Sequence, residues 1–388
     1  IQGNNTHEKI SEDDVPLFIG KTVQNGKIDK NFDWYIPKEL SNQLERSKLN
    51  KKCLVLPYVG SVGDLAIFDA SYDAHLGSNI AKIELAENCG YSEEFIYYFL
   101  KSDYGQKILL RDIQGAIQKN ITMKAIREVS LPDISIQEQN NIVSILKSLD
   151  DKIQTNNQIN QELEAMAKTL YDYWFVQFDF PDQNGKPYKS SGGKMVYHPE
   201  LKREIPEGWG VEKLGDITIC HDSKRVPLSS NDRELVKGEI PYYGATGIMD
   251  YVNDYIFDGD YVLMAEDGSV MTETGTPILQ RISGKNWVNN HAHVLEPIKN
   301  HSCKLLMMLL KDVSVMKIKT GSIQMKINQE NMNKIVVPAI PLELLFEINQ
   351  KLEVIDKQQL NLIEENKQLT QLRDWLLPML MNGQVKME

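Results

Sequence analysis

Gly321-Ser-Ile-Gln-Met-Lys-Ile327 answers Gly115-Ala-Ile-Gln-Lys-Asn-Ile121 at an offset of 206 residues. The same offset pairs Leu131-Pro132-Asp133-Ile134 with Val337-Pro338-Ala339-Ile340. It also pairs Ile142, Leu146, Leu149 and Asp150 with Ile348, Leu352, Ile355 and Asp356. Upstream the match survives with small gaps: Gly60-Ser61-Val62 resembles Gly268-Ser269-Val270, and Asn79-Ile-Ala-Lys-Ile83 resembles Asn290-His-Ala-His-Val294. One such match is chance, but a shared offset over a long stretch is the mark of two copies of one structural unit.

Each copy has the same internal order. A mixed segment comes first, with short apolar runs between Gly, Asn and Asp turns, which reads as strands with a few helices. Leu54-Val55-Leu56, Tyr261-Val262-Leu263-Met264 and Lys334-Ile-Val-Val337 are the clearest strands. A proline follows (Pro132; Pro338 and then Pro341), and after it a long helix. Apolar residues fall at 3-4 spacing: Ile142, Leu146, Leu149, Ile153, Leu163, Ala167, Leu170 and Trp174 in the first helix. The second helix gives Ile348, Leu352, Ile355, Leu362, Leu369, Leu376 and Leu380. This is an a/d seam. A helix of that length, about 50 Å at 1.5 Å per residue, cannot bury its stripe on one compact domain and needs an equally long partner, which the chain itself supplies. If the two helices pair antiparallel about a pseudo-two-fold axis, Asn160 and Asn366 meet near the centre and fix register, since a buried polar seam residue specifies pairing at a cost in stability. The alternative is that both amides face solvent.

Between the copies, Phe178-Asp-Phe-Pro-Asp-Gln-Asn-Gly-Lys-Pro-Tyr-Lys-Ser-Ser-Gly-Gly-Lys194 reads as a linker. Copy two opens with Ile205-Pro206-Glu207-Gly208-Trp209, well ahead of Pro241. Copy one reaches its comparable Pro16 almost at once, so its opening is expected to be short of residues.

Hydrophobic residues make up 41% of the 388 residues, enough for globular cores. No apolar run approaches a membrane span, and no signal peptide is evident. Four scattered cysteines without a CxxC pair indicate neither a zinc ribbon nor a redox pair, and scattered thiols suit a cytoplasmic protein. No phosphate loop, dinucleotide loop, HExxH or GxSxG is present: Gly20-Lys21-Thr22 ends like a phosphate loop, but Val15 stands where its first glycine belongs. Catalytic residues, cofactors and metals are therefore not expected. His291 and His293 alternate on one strand, but no third ligand sits nearby in sequence, so they read as structural or DNA-adjacent. Cys220-His221 reads as incidental.

The net charge of −11 argues against a wholesale basic nucleic-acid binder, yet what matters is where the basic residues sit. Residues 101–127 and 301–326 each carry a net charge of +4 and occupy matching places in the repeat. Lysines and arginines there suit phosphates, and the amides of Gln118 and Gln324 suit adenine. Lys119, Ser322 and Lys326 flank them, and Tyr243 and Thr246 lie on a further candidate loop in copy two. The competing reading is that a lysine-rich run, as around Lys304–Lys311, is only the wet face of a helix.

Two globular segments in tandem, each followed by a proline and a long heptad helix, resemble the specificity subunit of type I restriction-modification systems. The stretches that carry the likeness are Ile205-Pro-Glu-Gly-Trp209 with Leu214-Gly-Asp216, Gly321-Ser-Ile-Gln324, Pro338 with Pro341, and Leu372-Arg-Asp-Trp-Leu-Leu377 with Asn382-Gly383. Pro132 through Gln139 carries the family's Leu-Pro…Glu-Gln run. The second copy departs from it, with Leu344-Leu345 where Glu-Gln would be.

The resemblance implies an α+β fold: two similar mixed α/β target-recognition domains joined by two long antiparallel coiled-coil helices, pseudo-two-fold symmetric. The expected boundaries are a first recognition domain at 1–137, a first spacer helix at 138–176 and a linker at 177–204. A second recognition domain then spans 205–340, and a second spacer helix with the C-terminal tail spans 341–388. It implies that each domain reads one half of a split double-stranded DNA target and that the helices set the gap between halves. The helices would also dock two methyltransferase subunits and, through them, translocase-nuclease subunits. Catalysis and its cofactors would belong to those partners. The alternatives are a methyltransferase-like enzyme with its own recognition domain, and a coiled-coil scaffold joining two modules that do not bind DNA.

Overall fold

A computed structural model describes residues 6, 8, 11–24, 26–60, 62–111, 120–321 and 325–381. The chain divides into two compact units, residues 1–156 with 364–388, and residues 157–363. Each unit therefore owns part of both long helices.

In the first unit the strand Cys53–Pro57 is buried at every position, as its unbroken apolar run requires of a strand covered on both faces. It lies between Ala66–Phe68 and Ile80–Ile83, antiparallel to both, with Leu54 opposite Ile67 and Ile83. A second sheet orders Tyr35–Ile36, Val15–Phe18, Ala74–Leu76 and Lys48–Leu49, and its Leu17–His75 pairing is parallel.

The second unit repeats this plan. Tyr261–Ala265 lies between Leu279–Ile282 and Ala292–Pro297, antiparallel to both. Its neighbouring sheet contains one parallel pair, Tyr242 with Trp287. In both units a serine then caps a helix. Ser92 accepts from the Phe95 amide ahead of Glu93–Lys101, and Ser302 accepts from the Leu305 amide ahead of Cys303–Leu310. Such caps satisfy an orphan amide of the first turn. The short helices Met123–Arg127 and Gln329–Asn333 follow, capped by Thr122 and Asn328, themselves 206 residues apart.

The long helices run over Ile136–Tyr171 and Leu342–Met381. In the first unit Ile142 and Leu146 share a core with Leu377, Leu380 and Met381. Asp150 bonds Arg373 and Asn156 bonds Asn366, so numbers rise on one helix as they fall on the other, which is antiparallel pairing. In the second unit Leu163, Ala167 and Tyr171 share a core with Leu345, Ile348, Leu352 and Ile355. There the Gln359 amide bonds the Asn160 carbonyl, and Lys351 lies over the Trp174 ring, the same antiparallel order.

A polar residue does sit in the seam, but not as the repeat suggests. The partner of Asn366 is Asn156, one helical turn ahead of Asn160, at 2.9 Å. Asn160 contributes its backbone carbonyl to Gln359. Asn156 is fully buried.

One more expectation is corrected. The stretch read as a linker, 177–204, is folded: Phe178 and Phe180 are buried, and Phe180 stacks on Tyr188 at 4.8 Å and on Trp209 at 5.3 Å. Asp179 accepts from both the backbone amide and the hydroxyl of Ser190, and Met195–His198 pairs with Arg203–Pro206 as a hairpin. Three aromatic rings outweigh a Gly- and Ser-rich composition, because each buries a large apolar area.

The departure at Leu344-Leu345 also has a structural answer. In the first unit the buried Gln139 side chain accepts from the Ser92 amide and donates to the Gly90 carbonyl. In the second unit Asn349 makes the equivalent pair with the Ser302 amide and the Asn300 carbonyl. The clamp on the capping serine is kept, but its amide has moved one turn along the helix.

Candidate nucleic-acid interface

The duplicated Gly-x-Ile-Gln segment ends on the same anchor in both units. In the first, the Ile121 amide donates to the Tyr58 carbonyl at 2.8 Å, and Val59 bridges Asn120. In the second, the Ile327 amide donates to the Glu266 carbonyl at 2.8 Å, and Asp267 bridges Lys326. Ile121 and Ile327 are both buried, so an isoleucine side chain pins each loop to its sheet. Gly60 and Gly268 follow the receiving strands with φ of 86° and 73°, a left-handed turn that favours glycine. Gln118, Lys119, Ser322 and Gln324 lie outside the described residues.

The ladders also correct the alignment of the third strand. Pro57 pairs with Ile80 and Ala265 with Ala292, so Asn79 corresponds to His291, not Asn290. One residue of slip moves every side chain to the other face. His293 is thus matched by Ala81.

Around Lys326 and Ile327 lies a polar network with no counterpart at the matching positions of the first unit. Lys326 pairs with Glu266 at 2.8 Å, and Arg225 bonds the other Glu266 oxygen at 2.6 Å and the Ala292 carbonyl at 2.8 Å. His293, 1% exposed, has Nδ1 2.5 Å from Asp222 and Nε2 2.8 Å from the Ile327 carbonyl. Burial pushes the Glu266 carboxyl up, but the bonds from Lys326 and Arg225 outweigh it and hold it below its ordinary value. The same bond raises the Lys326 ammonium. Burial, with Asp222 beside it, pushes the Cys220 thiol up to about 12. Where Glu266 and His293 stand, the first unit has Tyr58 and Ala81.

Tyr243 and Thr246 reach the same edge of the second unit. The turn 244–247 closes through the Gly244 amide and the Gly247 carbonyl. Gln280 clamps it by donating to the carbonyls of Gly244 and Ala245, which leaves Thr246 exposed. The Tyr243 carbonyl accepts from Asn289, whose side chain accepts from the His291 amide; the His291 ring meets Asp267, the bridge partner of Lys326. A chain of hydrogen bonds thus joins the hairpin turn to the loop stem.

The lysines of residues 301–326 divide in two. Lys304 is buried against Glu164 and Gln359, and Lys311 pairs with Asp172 and lies over Tyr171. Neither is the wet face the sequence suggests, and neither is placed for a phosphate. Lys317 is exposed, and among the described residues no ion pair holds it or Lys319. Sequence reasoning missed Asp222, Arg225 and Glu266. Their positions are scattered through the chain, and no motif links them.

The family described as type I restriction modification DNA specificity domain matches residues 6–165 and again 206–371, one copy per half of the repeat. The chain belongs to that family. It is 25% identical over 422 aligned residues to the type I restriction enzyme MjaIX specificity subunit of Methanocaldococcus jannaschii, which covers 97% of this chain and 92% of that protein. It is 23% identical to the type I restriction enzyme HindI specificity subunit of Haemophilus influenzae, over 75% of this chain and 77% of that one. The fold is that of the type I restriction-modification S subunit from M. genitalium, with a TM-score of 0.50 at 18% identity over 98% of this chain and 93% of that chain. Two specificity domains of one fold, followed by long helices that pair antiparallel, are therefore the family's architecture carried by this chain. Among the described residues no helix is long and apolar enough to cross a membrane.

Proposed function

We propose that this chain is the DNA-recognition subunit of a type I restriction-modification complex, non-catalytic in itself, and that residues 1–137 and 205–340 each read one half of a bipartite duplex target. The observation that carries the reading is the duplicated anchor. Ile121 and Ile327, each the last residue of a Gly-x-Ile-Gln repeat segment, donate to the residue after the central strand of two equivalent sheets, one in each specificity domain. Gln118 with Lys119, and Gln324 with Ser322, are the groups offered to base edges. Lys317 and Lys319 are offered to phosphates, with Tyr243 and Thr246 on the hairpin turn of the second unit.

The long helices dock methyltransferase subunits, which carry the methyl-transfer chemistry and recruit the translocase-nuclease. Exposed apolar side chains outside the seams support this: Met166, Phe346 and Val354 in the second unit, Leu372 and Trp375 in the first. Large apolar groups left in water on a helix already paired along its seam are available to a protein partner.

Co-expression with the neighbouring methyltransferase subunit, followed by mapping of methylated sites, tests the reading. Gln118→Ala is expected to relax sequence preference in one half of the target and Gln324→Ala in the other, each by about 1–3 kcal/mol. Relaxation of the same half by both variants defeats the assignment of one domain per half-site.

A further inference from the structure

We propose that Cys220, Asp222 and His293 bind a zinc ion beside the Ile327 anchor of the second unit. A sulfur, an oxygen and a nitrogen donor converge there, one atom from each residue, all within 4.8 Å of one another. Cys220 and His293 come from paired strands, and Asp222 opens the short helix Asp222–Lys224 that follows Cys220-His221. Cys220 ends Thr218–Cys220 opposite Leu295, and His293 lies on Ala292–Pro297.

The hydrogen bonds of His293 show why a positive centre belongs there. Nε2 is 2.8 Å from the Ile327 carbonyl oxygen, an atom that only accepts, so Nε2 carries a hydrogen and donates it. In the neutral ring, Nδ1 then bears a lone pair. It faces an oxygen of Asp222 at 2.5 Å, and that carboxylate also only accepts. Two lone pairs do not lie so close with nothing between them: a proton bridges them at this separation, and a zinc ion, about 2.0–2.2 Å from each donor, would take the proton's place by parting the two atoms.

Cys220 decides between the two. A proton shared by His293 and Asp222 needs no third donor. Zinc takes four ligands and prefers thiolate, imidazole and carboxylate together. The bond from Nε2–H to a backbone carbonyl is also the outer contact that fixes tautomer and ring orientation in metal-binding histidines.

Charge and access agree. Zinc with one thiolate and one carboxylate sums to zero, and binding releases the Cys220 proton. Arg225, 3.3 Å from Asp222, keeps its bond to Glu266 at 2.6 Å when zinc takes the Asp222 oxygen. The second Asp222 oxygen is already held by the Val294 amide at 3.1 Å, which orients the carboxylate. Cys220 is only half-buried, so the ion has a way in and the fourth position is left to water. The site ties Ile327, the anchor of the loop, to the sheet through the His293 ring. It is independent of what the loop reads.

The test uses the full chain, stripped with a chelator and titrated first with Zn2+ and then with Co2+ as a spectroscopic probe. The expected result is one equivalent of either ion per chain, with a thiolate-to-cobalt charge-transfer band and the ligand-field absorption of tetrahedral Co2+. Cys220→Ala abolishes the charge-transfer band and weakens Zn2+ binding at least ten-fold, while Cys89→Ala changes neither. Because His293→Ala empties a buried position and risks misfolding, the wild-type cobalt spectrum carries the test by itself. Substoichiometric Zn2+ in the wild type, or a cobalt spectrum without thiolate character, overturns the proposal. So does a Cys220→Ala chain that binds as tightly as wild type, or nitrogen NMR showing His293 with a proton on both ring nitrogens in the presence of Zn2+.

Discussion

The two loop anchors use one backbone device over two different chemistries. In both units an isoleucine amide bonds the carbonyl of the residue that follows the central strand, and a left-handed glycine comes two residues later. In the first unit that residue is Tyr58 and the neighbouring strand offers Ala81. In the second they are Glu266 and His293, tied to Asp222, Arg225 and Lys326. The buried histidines differ in the same sense. His75 of the first unit is held by the hydroxyls of Ser41 and Ser47, and burial pushes its pKa down. His293 lies among carboxylates. The backbone device fixes where a recognition loop starts and ends. The side chains beneath it are free to differ, so two copies of one fold come to hold their loops with unlike strength.

The largest effect expected from that difference is at Arg225. It bonds Glu266 and lies 3.3 Å from Asp222, with both members of the Arg225–Glu266 pair about nine-tenths buried. Breaking a buried pair typically costs about 3–5 kcal/mol, and the lower end applies here because Lys326 keeps its bond to Glu266. Arg225→Ala is therefore expected to destabilise the second unit by that order. Hydrogen exchange should speed at the Ile327 amide, with no change at Ile121. Unaltered protection of Ile327 would show that the network does not hold the loop, and the contrast between the anchors would lose its meaning.

The amide clamps offer a comparison in which the two units are expected to agree. Gln139 and Asn349 each satisfy a half-buried serine amide and a carbonyl just ahead of a helix. Truncation leaves those groups unpaired, at roughly 1–3 kcal/mol. Gln139→Ala and Asn349→Ala are expected to lower the denaturation midpoint by similar amounts, each in its own unit. A negligible loss for Asn349→Ala alone would mean that moving the amide by one turn did not carry the function with it.

How much of this was legible follows from the range of each signal. The repeat and the long helices could be read because their evidence is local and periodic: Ile142, Leu146 and Leu163 announce a seam without knowledge of the fold. The anchoring isoleucines are legible as the last residue of the matched Gly-x-Ile-Gln segments. The clamp was half legible: the Leu344-Leu345 departure could be seen, but only folding shows Asn349 reaching the Ser302 amide. The network was invisible, since Asp222, Arg225, Glu266 and His293 meet only once three strands pair. The segment 177–204 misled because turn composition hides three aromatic rings that need each other to be buried. Lys304 misled in the opposite sense, as a charged residue whose partner, Glu164, lies 140 residues away.

The smallest effect is expected at Asn366, in a seam that differs between the units. In the first unit the Asn156 amide donates to both Asn366 and Glu365. Asn366→Leu removes one of the two acceptors, and Glu365 still holds the amide. Leucine at a seam position also adds apolar burial, so the net change is expected to stay within about 1 kcal/mol of zero. In the second unit Gln359 does more: it donates to the Asn160 carbonyl and the Glu164 carboxylate, and it accepts from the buried Lys304 ammonium at 2.7 Å. Gln359→Leu takes one partner from an ammonium that has left water, and a hydrogen bond to a charged group is worth about 1.5–3 kcal/mol. Denaturant midpoints of the two variants should therefore separate, with Gln359→Leu the weaker chain. Equal midpoints would mean that Glu164 alone satisfies Lys304, and that the seam is held in both units by its leucines and isoleucines, with the polar residues serving register only.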